Sequence, residues 1–172
     1  MNYMEIRPLD TTNGIGCRVS LFVSGCNVHC PGCFNKESWD FNAGKLFTKE
    51  TKKEILTYLD NPHIAGLSIL GGDPISNILN GDTELIDLVQ SIKSNYPDKT
   101  IFVWTGHKWE DIINNNNVKA FLYCVNMLRD GPFIEEKKDM TQYLQGSSNQ
   151  RSIDVQLSLK TGEIQLYNFK NS

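Results

Sequence analysis

Short apolar runs alternate with amphipathic stretches along most of the chain. Four of these runs predict strands buried on both faces, at about residues 17–24, 66–70, 100–104 and 121–128. Apolar residues recur at helical spacing between them, at residues 48–60, from 82 or 83 to the proline at 97, and around 109–113. This alternation of strand and helix predicts a parallel sheet with right-handed crossovers.

Three segments carry other patterns. Residues 1–14 are predicted to be irregular, because they contain Pro8 and the turn signal Asn13-Gly14. The run of asparagines at 114–117 is predicted to form a loop. From about 151 to 169 apolar and polar residues alternate on both sides of Thr161-Gly162, which predicts a C-terminal β-hairpin.

The length of 172 residues predicts a single domain, residues 1–172. A closed eight-stranded α/β barrel takes about 250 residues, so this chain can form only part of one. The predicted fold class is therefore α/β, a partial and open (β/α) barrel with mostly parallel strands and a C-terminal β-hairpin at about 151–169. In such barrels the chemistry lies at the carboxyl ends of the strands.

Composition argues against two classes of function. The net charge is −3 and the sequence has no basic run, whereas a basic stripe is the first sign of a nucleic-acid surface. No apolar segment approaches the roughly 20 residues that span a bilayer. The first seven residues also lack the apolar core of a signal peptide. We therefore expect a cytoplasmic protein that binds neither nucleic acid nor membrane and keeps its thiols reduced.

Three cysteines follow the first predicted strand at the spacing C-x3-C-x2-C, namely Cys26, Cys30 and Cys33. Three thiolates with no fourth in phase suit an iron–sulfur cluster that leaves one iron open. The alternative is a zinc site, which needs four protein ligands and would have to recruit Cys17, Cys124 or His29. A disulfide framework is disfavoured, because five cysteines are an odd number and no secretory segment precedes them.

The cysteine spacing, followed by the aromatic Phe34, resembles the signature of the radical S-adenosylmethionine (SAM) enzymes. The resemblance implies a radical-SAM-type barrel and a 4Fe–4S cluster held by Cys26, Cys30 and Cys33. It further implies that SAM chelates the open iron and is cleaved to methionine and a 5′-deoxyadenosyl radical. Gly32 and Phe34 would contact SAM, with Phe34 near the adenine. For Phe34 an ordinary core position is the alternative.

Polar or glycine residues follow each of the other predicted strands. Gly71-Gly72-Asp73-Pro74 resembles the family's glycine-glycine-acid motif, which lines the amino group of the methionine moiety, although many members have glutamate at the position of Asp73. Glycine backbone lets a ligand approach closely, and carbonyls or a carboxylate can accept bonds from an ammonium. A simple turn is the alternative. Thr105 and Asp130 are expected on the same face, where they would bind the methionine carboxylate, the ribose or a cation, or else cap a helix or close a turn.

Further stretches are similar to one family, the activating proteins of the anaerobic (class III) ribonucleotide reductase. The matching stretches are 13–18, 21–39, 71–74, 103–106, 130–133 and 146–150. The resemblance implies hydrogen abstraction from a glycine of the large subunit of the anaerobic ribonucleoside-triphosphate reductase, with electrons from a reduced flavodoxin or ferredoxin-type donor. Gln145 departs from the family, which often has arginine there, and the 153–169 hairpin extends past the end of shorter members.

Two other functions remain open on the sequence. A radical SAM enzyme could act on another protein or on a small molecule, for which it would need an enclosed pocket. A zinc-binding interaction module would carry no catalysis. Colour and iron content after anaerobic purification distinguish a cluster protein from a zinc protein.

Overall fold

A seven-stranded mixed sheet runs through the computed structural model, which describes residues 1–139, 141 and 143–169. The strands are β1 (Asn2–Asp10), β2 (Cys17–Val23), β3 (Lys45–Leu46), β4 (Ile64–Gly71), β5 (Thr100–Trp104), β6 (Met127–Asp130) and β7 (Arg151–Asp154). Their order across the sheet is β3-β1-β2-β4-β5-β6-β7. The four central strands, β2, β4, β5 and β6, are parallel, whereas β1, β3 and β7 are antiparallel to their neighbours. The prediction of an α/β fold with mostly parallel central strands is confirmed, and the sheet is open.

Six α-helices lie in the described part of the chain. They are α1 (Lys49–Leu59), α2 (Pro74–Leu79), α3 (Glu84–Asn95), α4 (Trp109–Ile112), α5 (Asn116–Leu122) and α6 (Val155–Thr161). The three predicted helices are confirmed as α1, α3 and α4. Among the described residues, no helix has both the length and the apolar character needed to cross a bilayer.

The main core lies between one face of the sheet and the helices. Strand β2 contributes Val19, Leu21 and Val23, which are fully buried. They form one cluster with residues of β4, β5, α1, α3 and α5, which include Leu67, Ile69, Ile101, Val103, Ile55, Leu59, Leu88, Ile92 and Phe121. Because successive residues of a strand point to opposite faces, the intervening residues of β2, β4 and β5 lie on the other face of the sheet.

That other face holds a buried cation, Arg18, which is 1% exposed. Its guanidinium donates to Ser68 Oγ at 2.7 Å, to Thr100 Oγ1 at 2.9 Å and to three backbone carbonyls. It also lies 4.1 Å from the centre of the Phe102 ring. Burial lowers the pKa of Arg18 to about 10, so the side chain stays charged at neutral pH. Arg18 therefore links β2 to β4 and β5 by hydrogen bonds on the face of the sheet opposite the helices.

The N-terminal segment differs from its prediction, since residues Asn2–Asp10 form β1. The strand pairs with β2 along its length but with β3 only at Asn2 and Tyr3. The pairing register shifts between Arg7 and Asp10, at the position of Pro8. A proline is tolerated in a strand at such an irregularity, because it has no N–H to give to the ladder. The prediction of an irregular segment was therefore wrong.

The predicted fourth strand at 121–128 was also wrong in its first half. Helix α5 continues to Leu122, and β6 begins only at Met127. The helix begins inside the asparagine run, because the Asn115 side chain accepts from the backbone N–H groups of Asn117 and Val118. Asparagine is a preferred N-cap, so the predicted loop at 114–117 is in fact a helix start.

The predicted C-terminal hairpin is replaced by a strand, a helix and a returning segment. After β7, the Asp154 side chain accepts from Leu157 N at 2.9 Å and caps α6. The helix ends at Gly162, which has φ 76°, a conformation that favours glycine. The chain then returns antiparallel to β7, where Leu166 pairs with Ile153. The predicted antiparallel pairing of the two ends of this segment is present, but residues Val155–Thr161, predicted as a strand, are helical.

Replacement of Arg18 should test how much this face contributes to stability. Arg18→Ala removes the stem and leaves its acceptors unpaired in the interior, so we expect a loss of about 3 kcal/mol or more in the free energy of unfolding. Arg7 offers the matched control, since it also lies over an aromatic ring, Phe22, but is half exposed. Arg7→Ala should cost less than about 1 kcal/mol. Urea denaturation measures both, and equal losses would contradict the assigned role of Arg18.

Candidate metal centre

The three cysteines of the C-x3-C-x2-C motif line one cleft at the carboxyl ends of β2, β4 and β5. The cleft has a volume of about 180 Å³ and is also lined by Gly71, Gly72, Asp73, Thr105, Gly106, Trp39, Phe133 and Gln150. A second cavity of about 640 Å³ adjoins it and shares Cys30, Cys33, Phe34, Leu70 and Trp104. The cysteines and the glycine-rich turn, which lie some forty positions apart in the sequence, are therefore neighbours in the fold.

Cys26 is the most firmly held of the three cysteines. It is 8% exposed, its backbone N–H donates to Trp39 O at 3.1 Å, and the preceding Gly25 N–H donates to Ser38 O at 2.8 Å. Cys30 and Cys33 are half-buried, and the N–H of Cys33 donates to Cys30 O. Burial raises the pKa of the thiols of Cys26 and Cys30. Because metal ligation needs thiolates, loading of this site would release protons.

The other two cysteines lie apart from the cleft. Cys17 is the first residue of β2, at the end of the strand opposite the cysteine loop, and Cys124 lies just after α5. Both are partly buried, and both pack against the main core. All five cysteines are free of disulfides.

The donor set of the cleft fits an iron–sulfur cluster by its chemistry. Among the residues that the structure describes, no group of three or more His, Cys, Asp or Glu side chains is arranged to hold a metal ion. A cluster, however, takes each thiolate on a different iron, so its ligands must share a cavity rather than a single coordination sphere. Cys26, Cys30 and Cys33 meet that requirement.

Asp73 does not present a free carboxylate to the cleft. It is 1% exposed, and it accepts from Thr105 Oγ1 at 2.9 and 3.0 Å, from Gly106 N at 2.7 Å and from Ser76 N at 2.8 Å. The last of these bonds caps α2, whose first residue is Pro74. Complete burial raises the pKa of Asp73, against the opposing effect of His107 and of these donors. The carboxylate therefore joins the end of β4 to the end of β5.

Thr105 belongs to the same hydrogen-bond network as Asp73. Its hydroxyl donates to Asp73 and accepts from His107 N at 3.1 Å, and its own N–H donates to Arg129 O. Thr105 is 4% exposed, although it lines the cleft. The alternative given on the sequence, that Thr105 closes a turn, matches these contacts.

Gly71 and Gly72 are in close contact with neighbouring backbone. A Cβ on Gly72 would lie 2.6 Å from Gly25 O and 2.8 Å from Ser38 O, both at the base of the cysteine loop. A Cβ on Gly71, which has φ 112°, would lie 2.7 Å from Val23 O. A side chain at either position would therefore displace the cysteine loop or β2. Loss of cofactor binding in such variants would not by itself identify a cofactor contact.

Asp130 lies outside the cysteine cleft. Its carboxylate accepts from Trp109 N at 2.8 Å, which caps α4, and from Arg151 Nε at 3.0 Å, with a further ion pair to Arg151 Nη2. Arg151 in turn pairs with Glu110. The residue lines a separate surface cavity with Lys108. These contacts match the alternative given on the sequence, that Asp130 caps a helix.

Gly32 and Phe34 both lie in the cysteine loop. Gly32 has φ 76°, and a Cβ there would lie 1.8 Å from Glu135 Oε2. Phe34 is fully exposed and lines both cavities, so it is not the core residue of the alternative interpretation. The indole of Trp39, which also lines the cysteine cleft, lies 4.6 Å from the ring of His29.

Several residues of the site were not identified from the sequence. They are Ser76, Asn77 and His107, together with Phe133 and Gln150 as lining residues. The dipeptide Asp73-Pro74 carried a usable signal, because an acidic N-cap followed by proline marks a helix start. It would have predicted α2 and thereby the side chains that α2 brings to the cysteine loop.

An α/β fold whose parallel strands present three free cysteines in one cleft defines a single-cluster iron–sulfur protein, and the family model described as "4Fe-4S single cluster domain" matches residues 12–153. Three curated relatives carry the name "Anaerobic ribonucleoside-triphosphate reductase-activating protein". That of Haemophilus influenzae is 42% identical over 87% of this chain and 96% of its own, and that of Escherichia coli is 40% identical over the same shares. That of Enterobacteria phage T4 is 42% identical over 88% and 92%. The chain belongs to the family of anaerobic ribonucleoside-triphosphate reductase-activating proteins.

Asp130→Asn should lower stability without weakening cofactor binding. We expect a loss of about 2 kcal/mol, less than for a fully buried pair, because Arg151 is one-third exposed. The SAM binding that the sequence predicts should be unchanged in the anaerobically reconstituted protein, since Asp130 lies outside the cleft. Urea denaturation and equilibrium dialysis measure the two effects. A large loss of SAM affinity in a stably folded variant would restore Asp130 as a cofactor contact.

Glu110→Gln is the control for that variant. The hydrogen bond from Arg151 lowers the pKa of Glu110 from 4.5 to about 2. A lowered pKa means that this pair stabilises the fold above pH 4.5 and ceases to do so as the pH falls towards 2. Because Glu110 is exposed, the difference at neutral pH should stay below about 1 kcal/mol.

Proposed function

We propose that this protein is a radical SAM activase of the anaerobic ribonucleotide reductase. Its 4Fe–4S cluster and SAM would generate a 5′-deoxyadenosyl radical, and that radical would take a hydrogen atom from a glycine of the reductase's large subunit. The products would be methionine, 5′-deoxyadenosine and a glycyl radical on the partner, with one electron supplied by the reduced cluster. The names of the relatives support the partner, and the family model supports the cluster.

The observation that carries the proposal is the shared cleft. Cys26, Cys30 and Cys33 line it together with the Gly71-Gly72-Asp73 turn, at the carboxyl ends of parallel strands. Three thiolates leave one iron of a cubic cluster without a protein ligand, which is where a chelating cofactor would bind. The open sheet with parallel central strands is compatible with a partial radical-SAM-type barrel.

Different residues of the chain would hold the cluster, border SAM and position the loops at this site. The three cysteines would hold the cluster, and the backbone of residues 71–72, with Gly32 and Phe34, would border SAM. Asp73 and Thr105 would act on SAM indirectly, because their polar groups hold the two loops on which it would lie. When bound, the cluster and SAM supply a one-electron cleavage of the sulfonium, for which a reduced flavodoxin or ferredoxin-type protein would be the donor in the cytoplasm.

The substrate would enter through the larger cavity. That cavity of about 640 Å³ begins at Cys30 and Cys33 and is bordered by the fully exposed Phe34. A primary radical needs protection from solvent and side reactions. A loop of the reductase that carries the glycine could supply this protection by filling the cavity, which is open as lined by the described residues.

Replacement of individual cysteines by alanine can test the proposed set of cluster ligands. The double variant Cys17→Ala/Cys124→Ala should keep its iron and brown colour after anaerobic reconstitution, because both thiols lie outside the cleft. Single replacements of Cys26, Cys30 or Cys33 by alanine should lose most of the cluster. Iron analysis and absorption spectra give the answer. Loss of iron from the double variant, or stoichiometric tight zinc in the native protein, would overturn the assignment.

The activase function can be tested with the reductase itself. Incubation of the reduced, reconstituted protein with the reductase large subunit and SAM should give 5′-deoxyadenosine and a glycyl doublet in the electron paramagnetic resonance (EPR) spectrum. A Gly→Ala change at the partner's radical position should abolish the doublet. Turnover of a free metabolite without any protein partner would show that the proposal is wrong.

A further inference from the structure

The first turn of α2 makes direct contacts with the cysteine loop. The Ser76 hydroxyl is fully buried and accepts from the backbone N–H of Asn27 at 3.1 Å. Asn27 directly follows Cys26, and its side chain donates to Asn80 Oδ1 at the end of the same helix. Two more bonds fix the residues just before Cys26, from Asn77 Nδ2 to Ser24 O and from Asp73 N to Gly25 O. The backbone on both sides of Cys26 is therefore bound to α2 and its cap.

The same serine reaches the loop after β5. Its Oγ lies 3.0 Å from Nε2 of His107, two residues beyond Thr105. The Ser76 hydroxyl, which accepts from Asn27, still has one proton to donate and one lone pair to accept with, so it can bond Nε2 of either tautomer of His107. Two hydrogen bonds therefore connect the backbone of Asn27 to the side chain of His107 through Ser76. No other hydroxyl among the described contacts joins the cysteine loop to the loop after β5 in this way.

We propose that Ser76 is a positioning residue that couples the loop after β5 to the backbone around Cys26 in the cysteine loop. The inference rests on the proposed function, in which SAM lies between the 71–73 and 105–107 loops. A ligand that displaces the 105–107 loop would act through His107 and Ser76 on the backbone next to a cluster ligand. Hydrogen bonds and backbone placement around the thiolates are among the factors that set the properties of a cluster. Binding of SAM should then alter the cluster through the protein as well as through direct contact.

Ser76→Ala removes the bridge while it leaves the three cysteines and the glycine turn in place. In the metal-free protein, the Asn27 amide should exchange its hydrogen about tenfold faster, the factor expected when one buried hydrogen bond is lost. In the reconstituted protein, the variant should keep its iron, but the shift of the reduced-cluster EPR spectrum on addition of SAM should be smaller than in the wild type.

Ser158→Ala is the matched control. Ser158 is also buried, and its hydroxyl likewise accepts a backbone N–H, that of Gln165 at 2.8 Å, and donates to Asp154 O. It lies in α6 and does not line either cavity at the cysteines. This variant should lose similar stability but leave Asn27 exchange and the SAM-dependent spectral shift unchanged.

Changes at His107 separate coupling from folding. His107→Gln keeps a side chain that can donate to the serine hydroxyl or accept from it and should preserve most of the SAM-dependent shift, whereas His107→Leu should reduce it as Ser76→Ala does. If Ser76→Ala and His107→Leu both show the wild-type shift, or if Ser158→Ala reduces it equally, the positioning role is wrong. If the wild type binds no SAM and shows no shift, the proposed function fails instead, so the two failures are distinguishable.

Discussion

The buried carboxylate of Asp73 is the contact on which the site depends. It lies at the end of β4, caps α2 through Ser76 N and binds both Thr105 and Gly106 at the end of β5. Thr105, Gly106 and Ser76 all donate to it, and together they use both of its oxygens as acceptors. Loss of these bonds would release the two strand ends and α2 together. Since α2 in turn binds the backbone around Cys26, the cysteine loop would lose its support as well.

The cysteine loop has a firmly bound part around Cys26 and a more exposed part that carries Cys30 and Cys33. The backbone on either side of Cys26 is bound to α2 and to residues 38–39, so the protein alone fixes the position of Cys26. Cys30 and Cys33 lie in a loop with two unusual backbone positions, His29 at φ 49° and Gly32 at φ 76°. A non-glycine residue with positive φ persists only where its surroundings hold it, and the ring of Trp39 lies against His29. In the proposed cluster site, Cys26 would therefore be a fixed first ligand, and Cys30 and Cys33 would complete the set.

The sequence predicted the parts of the site that depend on local patterns. The spacing of Cys26, Cys30 and Cys33 and the strand before them were sufficient to place a cysteine loop at the carboxyl end of β2. The sequence did not predict where the side chains of Asp73 and Asp130 point, because a carboxylate at a strand end can face a ligand, a helix N-terminus or an arginine. Those choices depend on Thr105 and Arg151, which are distant in the sequence.

The wrong predictions of secondary structure have two origins, local capping and tertiary pairing. In α5 and α6 the local capping residues, Asn115 and Asp154, outweighed an apolar pattern that also fitted a strand. In β1 the pairing with β2 outweighed the breaking tendency of Pro8. Capping and tertiary pairing therefore decided the segments whose periodicity was ambiguous, whereas the strongly periodic elements α1, α3 and β5 followed the sequence.

The face of the sheet opposite the helices explains why the site lies so close to the surface. Arg18 and Phe102 occupy this face, and the ring of Tyr167, from the returning C-terminal segment, lies 5.4 Å from Phe102. Arg129 is also buried and donates to Gln145 Oε1 and Tyr143 O. These side chains fill the space that a deep barrel interior would otherwise provide. The two adjoining cavities at the cysteines lie at the carboxyl ends of the strands, where, in the proposed function, a second protein would complete the enclosure of the radical.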